Sequence, residues 1–169
     1  MGLHKHLRAL VRDGLFAAIL IISKELLAFL PNVEIVTVLL ISYTVVYRIR
    51  ALVPLYVFWA VEAIIYPSIS TTLMYLYVWL VPFLVGMLLP RRVLPAPVYM
   101  LIGGLFGLAF GTLCAPVQAA YFGLSFKGTV AWIVAGAPFD LVHAIGNFAT
   151  GVLAPVLISL LLRLEKQSS

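Results

Sequence analysis

An acid, an imidazole and an amide stand together in PFDLVHAIGN, residues 138–147. Asp140, His143 and Asn147 follow i, i+3, i+7 spacing, so on a helix they fall within an arc of roughly 60°. One face would carry a carboxylate, a group that titrates near neutrality and an amide that both donates and accepts. Such a set can bind a polar ring, relay a proton or, with another carboxylate, hold a metal. The metal reading lacks support, because there is no H-x-x-x-H and no His/Cys pair, and Cys114 is the one cysteine. No serine–histidine arrangement is found at matching depth, and Gly103, Gly104, Gly107 and Gly111 lie inside an apolar run and not in a nucleotide loop. The chain is expected not to be an enzyme and to need no metal or cofactor.

These groups are set in an apolar chain. Of 169 residues, 64% are hydrophobic and 10% charged, against roughly a quarter charged in a soluble domain. The mean hydropathy is +1.15. A surface of that composition faces lipid. The net charge of +5 comes from basic residues dispersed in twos and threes between apolar runs, which is a pattern of membrane topology and not a phosphate-binding patch. No nucleic-acid partner is expected. The basic start HKHLRALVR and the apolar run behind it have the order of a signal peptide. Lys24–Glu25 interrupts that run, however, and no small-x-small site precedes Pro31, so a retained first span is expected.

Charges and turn residues divide the chain into six expected crossings, at 14–30, 33–47, 51–66, 71–89, 97–121 and 138–162, in one all-α membrane domain over 1–169. The second is short, ~22 Å as a helix against a hydrocarbon core of ~30 Å. It either forms a re-entrant pair with the third or stops early and leaves a water-filled recess, which is the favoured view. With alternating spans, Lys5, Arg8, Arg12, Arg48, Arg50, Arg91, Arg92, Arg163 and Lys166 share one side. Nine of the eleven basic residues then obey the positive-inside rule, and both termini are expected in the cytoplasm of a prokaryotic plasma membrane.

This topology sorts the polar residues by depth. Lys24 and Glu25 end the first span, Asn32 and Glu34 follow in its outer turn, and Glu62 ends the third. Asp140, His143 and Asn147 then begin the sixth span on the same side. Ionised side chains at membrane depth cost a few kcal/mol by insertion scales, so their shared level implies an outward polar chamber. Trp59, Glu62 and Tyr66 share a helical face, as do Thr72, Tyr75 and Trp79, and aromatic walls with a few aimed polar groups line small-molecule sites. The expected substrate-binding set is Lys24, Glu25, Asn32, Glu34, Glu62, Tyr75, Trp79, Trp132, Asp140, His143 and Asn147. Asp140→Asn is expected to weaken binding at least tenfold, roughly 1.4 kcal/mol. Acids outnumber bases in this chamber, which favours a neutral or cationic ring. Each feature also has a plainer reading: an interfacial aromatic belt, a self-neutralising Lys24–Glu25 pair, a satisfied interior histidine. Small residues spaced by four let helices approach closely. Gly103, Gly107 and Gly111 need nothing beyond internal packing, whereas Gly14 and Ala18 present a stripe suited to another protein.

PNVEIVT (31–37), GGLFGLAFG (103–111) and WIVAGAPFDLVHAIGNF (132–148) together resemble the substrate-binding S component of an energy-coupling factor (ECF) transporter, the vitamin-uptake type. The resemblance covers most of the chain. It implies six helices, cytoplasmic termini and capture of a vitamin or precursor in an outward pocket capped by the loop after the first span. It further implies a transmembrane coupling subunit and two cytoplasmic ATPase subunits as partners. The A-x-x-x-A contact stripe of that family is approximated by Gly14-x-x-x-Ala18. Two other readings stay open: a structural scaffold of the rod-shape-determining type, and a stand-alone proton-coupled carrier using Glu62, Asp140 and His143.

Overall fold

A computed structural model describes residues 2–168, with side chains for 6–167; His4 and Lys5 lie outside the latter range. Eight α-helices follow in order: α1 Gly2–Leu26, α2 Val36–Tyr47, α3 Leu52–Ile65, α4 Ile69–Val78, α5 Leu80–Leu88, α6 Ala96–Phe122, α7 Phe126–Thr150 and α8 Ala154–Ser168. Single 3-10 turns join α2 to α3 and α7 to α8, and no strand occurs among the described residues. Four helical runs, Val36–Ile65, Ile69–Leu88, Ala96–Phe122 and Phe126–Gln167, are long and apolar enough to cross a membrane. Helix α1 is comparably long but carries Arg12–Asp13 and Lys24–Glu25 at either end of an apolar middle. Large apolar side chains such as Leu88, Ile64 and Val156 point outward, as a lipid-facing surface requires.

Helix α2 is the axis. All twelve of its residues are buried, and it packs against α5 on one side and α8 on another. Its length is ~18 Å, as short as expected of the second span. The chain leaves α2 through Arg48 with φ 56°, turns, and runs back as α3 against α1. Arg48 donates to the carbonyls of Gly86 at 3.2 Å and Leu89 at 3.0 Å, and also to Met87, at the end of α5. Arg91 answers from beyond α5, donating to Val46 O at 2.9 Å near the end of α2 and pairing with Glu165 on α8. Helices α2 and α5 thus each have C-terminal carbonyls met by a guanidinium from just beyond the end of the other.

The same end of the bundle buries Asp13. Its carboxylate accepts from Arg12 at 2.7 Å, Arg50 at 3.2 Å and the Tyr43 hydroxyl, while the Arg12 guanidinium lies 3.9 Å from the Tyr47 ring centroid. Arg12, Arg48, Arg50 and Arg91 therefore form one arginine-rich pole.

Helices α6 and α7 share the most extensive helix–helix contact among the described residues. A Cβ on Gly103 would come within 2.7 Å of Asn147 O, and one on Gly107 within 2.7 Å of Ala144 N. On Gly111 it would run into the Asp140 carboxylate. The glycine stripe is thus the groove that receives the polar face of the PFDLVHAIGN segment, in keeping with the packing role expected of it.

The expected sixth span needs correction. Its helix begins at Phe126, capped by Ser125, whose hydroxyl accepts from Gly128 N at 3.2 Å, and Pro138 lies inside it. Pro138 lies on an exposed stretch inside this helix and does not end it. Asp140, His143 and Asn147 accordingly sit in the second half of α7 and not at its head. The first span also shifts: α1 ends at Leu26, and 27–35 is a looped segment. The fourth is divided at Trp79 into α4 and α5.

Candidate functional site

Opposite the arginine pole, the α1–α2 loop leaves a cavity of about 270 Å³. Leu30–Pro31–Asn32–Val33 makes the loop's tight turn, with Val33 N donating to Leu30 O at 3.2 Å and Asn32 at φ 60°. Proline followed by a residue tolerant of positive φ is the pattern of a type II turn. The turn rests against α7 at Gly146, where even a Cβ would make only an ordinary 3.8 Å contact with Asn32 O.

Glu34 anchors the loop. Its carboxylate accepts from Thr37 N at 2.8 Å and from the Thr37 hydroxyl in the first turn of α2, where an anion suits the helix dipole. His143 Nε2 lies 3.2 Å from Glu34 Oε1, and Asn147 Nδ2 donates to Thr37 Oγ1 at 3.3 Å. The α7 face thereby binds the start of α2 through a continuous polar chain. Glu34 lies outside the helical runs. Burial pushes its carboxyl upward, but hydrogen bonding and charge from His143, then hydrogen bonds from Thr37, outweigh this and hold it below its ordinary value. A depressed acid contributes stability that is present above its unfolded pKa and is lost as pH falls through the folded one. Thermal stability is therefore expected to hold down to the carboxylate range, near pH ~4, and to drop below it. The drop should be shallower in Glu34→Gln, and an unchanged pH profile in that variant would remove Glu34 as the anchor.

A second polar group closes the other side. The Lys24 ammonium pairs with Glu62 and lies 3.3 Å from Glu25 Oε1. It also stands 4.3 Å from the centroid of the Tyr66 ring, and the Tyr66 hydroxyl donates to Glu25 at 2.8 Å. Glu62 is 3% exposed and sits behind Tyr66 and Tyr75 in a crevice that shares both with the cavity. Among the described residues, Lys24 is the only cation within ion-pair distance of either carboxylate. The third wall is aromatic. Tyr75 and Phe110 stand edge-on to Trp79, with centroids at 5.7 and 6.1 Å, and Phe110 lies 4.7 Å from the His143 ring.

No known protein family, characterised protein or solved structure matches this chain.

Of the expected residues, Lys24, Asn32, Glu34, Tyr75, Trp79 and His143 line the cavity. Glu25 and Glu62 stand one contact back, held by Lys24. Three others are elsewhere. Asp140 accepts from Gly111 N at 3.0 Å and faces the glycine groove, Asn147 is tied to Thr37, and Trp132 packs half-buried against the core. The test of solute contact therefore moves from Asp140 to His143. Gly14 and Ala18 lie on the exposed side of α1, where a Cβ at Gly14 would meet nothing within 4 Å. Phe110 also lines the cavity and is absent from the expected set, whereas Tyr66 lines it as a member of the expected aromatic wall. Phe106 and Phe110 repeat at i, i+4 beside Gly107 and Gly111, so once the glycines face α7 the phenylalanines must flank it. That interleaving was the available signal.

Two lining residues carry buried polar atoms without partners among the described residues: Trp79 Nε1 and His143 Nδ1. Buried polar groups are nearly always satisfied; other buried side-chain atoms without a hydrogen bond lie on Ser42, Thr44, Glu62, Gln118 and Asn147, away from the cavity lining. A larger groove of about 770 Å³ runs along α1 and α8 past Leu15, Ile19 and Leu161 at the arginine pole; its lining is mostly aliphatic and suits lipid.

Proposed function

We propose that this chain is the membrane-embedded substrate-capture subunit of an ECF-type transporter, binding a small water-soluble vitamin or precursor for ATP-driven uptake by partner subunits. The observation that carries this reading is the cavity itself. Helices α1, α4, α6 and α7 and the segments adjoining them bring an ammonium, an imidazole, a carboxylate and four aromatic rings around about 270 Å³, in a protein that is otherwise largely apolar. The pole opposite is rich in arginine, so by the positive-inside rule the cavity opens outward and the termini are cytoplasmic. Termini on one side require an even number of crossings, and six crossings of a prokaryotic plasma membrane meet that requirement. Energy comes from elsewhere: a transmembrane coupling subunit and two ATPases, with the uncovered Gly14/Ala18 face of α1 as the contact to the coupling subunit. Small residues there admit a partner helix closely.

The experiment is native mass spectrometry of the protein purified from its own membrane, followed by titration of the co-purifying solute. His143→Ala is expected to weaken binding at least tenfold, roughly 1.4 kcal/mol, while Ala18→Phe leaves binding intact and blocks uptake. Uptake that collapses with the proton gradient and ignores ATP would instead identify a stand-alone carrier.

A further inference from the structure

The charges around the cavity do not balance. Glu25 and Glu62 share one ammonium, that of Lys24, and Glu34 is matched by His143 and the hydrogen bonds of Thr37. With both carboxyls ionised, the Lys24–Glu25–Glu62 group carries one negative charge in excess. It borders a cavity walled by Tyr66, Tyr75, Trp79 and Phe110, and rings of this kind attract cations through their π faces. Lys24 already demonstrates the preference, since its ammonium sits between two carboxylates and over the Tyr66 ring. It is a tethered cation held where a free one would be stabilised. The volume is below the ~300–1,000 Å³ of drug-sized sites, which limits the occupant to a small ring system with short substituents.

We infer that the solute is a planar nitrogen heterocycle carrying one positive charge, its ring against Trp79, Tyr75 and Phe110 and its charge directed at Glu62. This rests on the solute-capture reading and narrows it. On binding, the solute takes the place of Lys24 beside Glu62, and the lysine ammonium stays with Glu25. The excess charge at the site is then neutralised. An acceptor on the ring suits Trp79 Nε1–H, which is unpartnered among the described residues. A phosphorylated or carboxylated solute would add to the excess and is rejected.

The test uses one ring in three charge states: 1-methylnicotinamide, nicotinamide and nicotinate, titrated by calorimetry into the full-length protein in lipid nanodiscs. The cation is expected to bind at least tenfold more tightly than the other two, and Glu62→Gln to reduce that preference to within about threefold, less than a 1.4 kcal/mol difference. In Lys24→Met, 1-methylnicotinamide should raise the melting temperature while nicotinamide does not, because a ligand stabilises the state it binds; this readout survives even if the variant is unstable. Nicotinate binding most tightly, with the preference lost in Lys24→Met, would overturn the cation assignment and leave solute capture standing. So would a neutral or anionic molecule found by native mass spectrometry. Failure of all three probes to bind at about 10 mM, far above any useful dissociation constant, also overturns the assignment. A protein that in addition carries no solute from the membrane overturns the capture reading itself.

Discussion

Gly107→Leu is expected to abolish folding, and Gly107→Ala to cost about 1–3 kcal/mol, the usual range for overpacking. The neighbours at Gly107 are backbone atoms of His143 and Ala144, between 2.7 and 2.8 Å from where a Cβ would stand. A flexible side chain could swing aside; a helix backbone cannot. The only relief is to move α6 away from α7, and that displacement is shared by Gly103 and Gly111 in the same groove. His143 would move with α7, lengthening its contact to Glu34 and releasing the loop that covers the cavity. The alanine variant should therefore lose melting temperature and solute affinity together. Gly104→Ala is the control, because a Cβ there meets the Phe148 side chain at 3.4 Å, an ordinary contact that costs little. Equal losses at 104 and 107 would show that the stripe is not the constraint.

The double substitution Arg12→Gln, Arg50→Gln is expected to cost about 3–5 kcal/mol, the range for stranding a buried charge. Asp13 is 1% exposed, whereas the side chains of Arg12 and Arg50 keep 28% and 45% of their surface. Removing the arginines leaves a carboxylate that cannot reach water. Removing the acid leaves two guanidiniums that can. Asp13→Asn should thus cost less, about 1–3 kcal/mol for hydrogen bonds lost or rearranged, despite deleting the residue at the centre. Thermal unfolding in one detergent ranks the variants. The reverse order would mean that the arginines, not the acid, bear the desolvation cost.

What the sequence determined by itself is the class of the protein and most of its units. Apolar runs broken by charge and proline place α3, α6 and the α4–α5 run within two residues of their ends, because chain composition alone decides which segments can sit in lipid. The i, i+3, i+7 spacing placed Asp140, His143 and Asn147 on one face, and they are on one face. What that face touches was not legible. Only packing shows that Asp140 faces Gly111, Asn147 faces Thr37 and His143 alone reaches the cavity, because one helical face about two turns long spans more than one environment. The pairing of Lys24 with Glu62 and of Glu34 with His143 was equally hidden: 38 and 109 residues separate the partners. Local periodicity reports direction around a helix axis. Which neighbour lies in that direction is a property of how the helices pack.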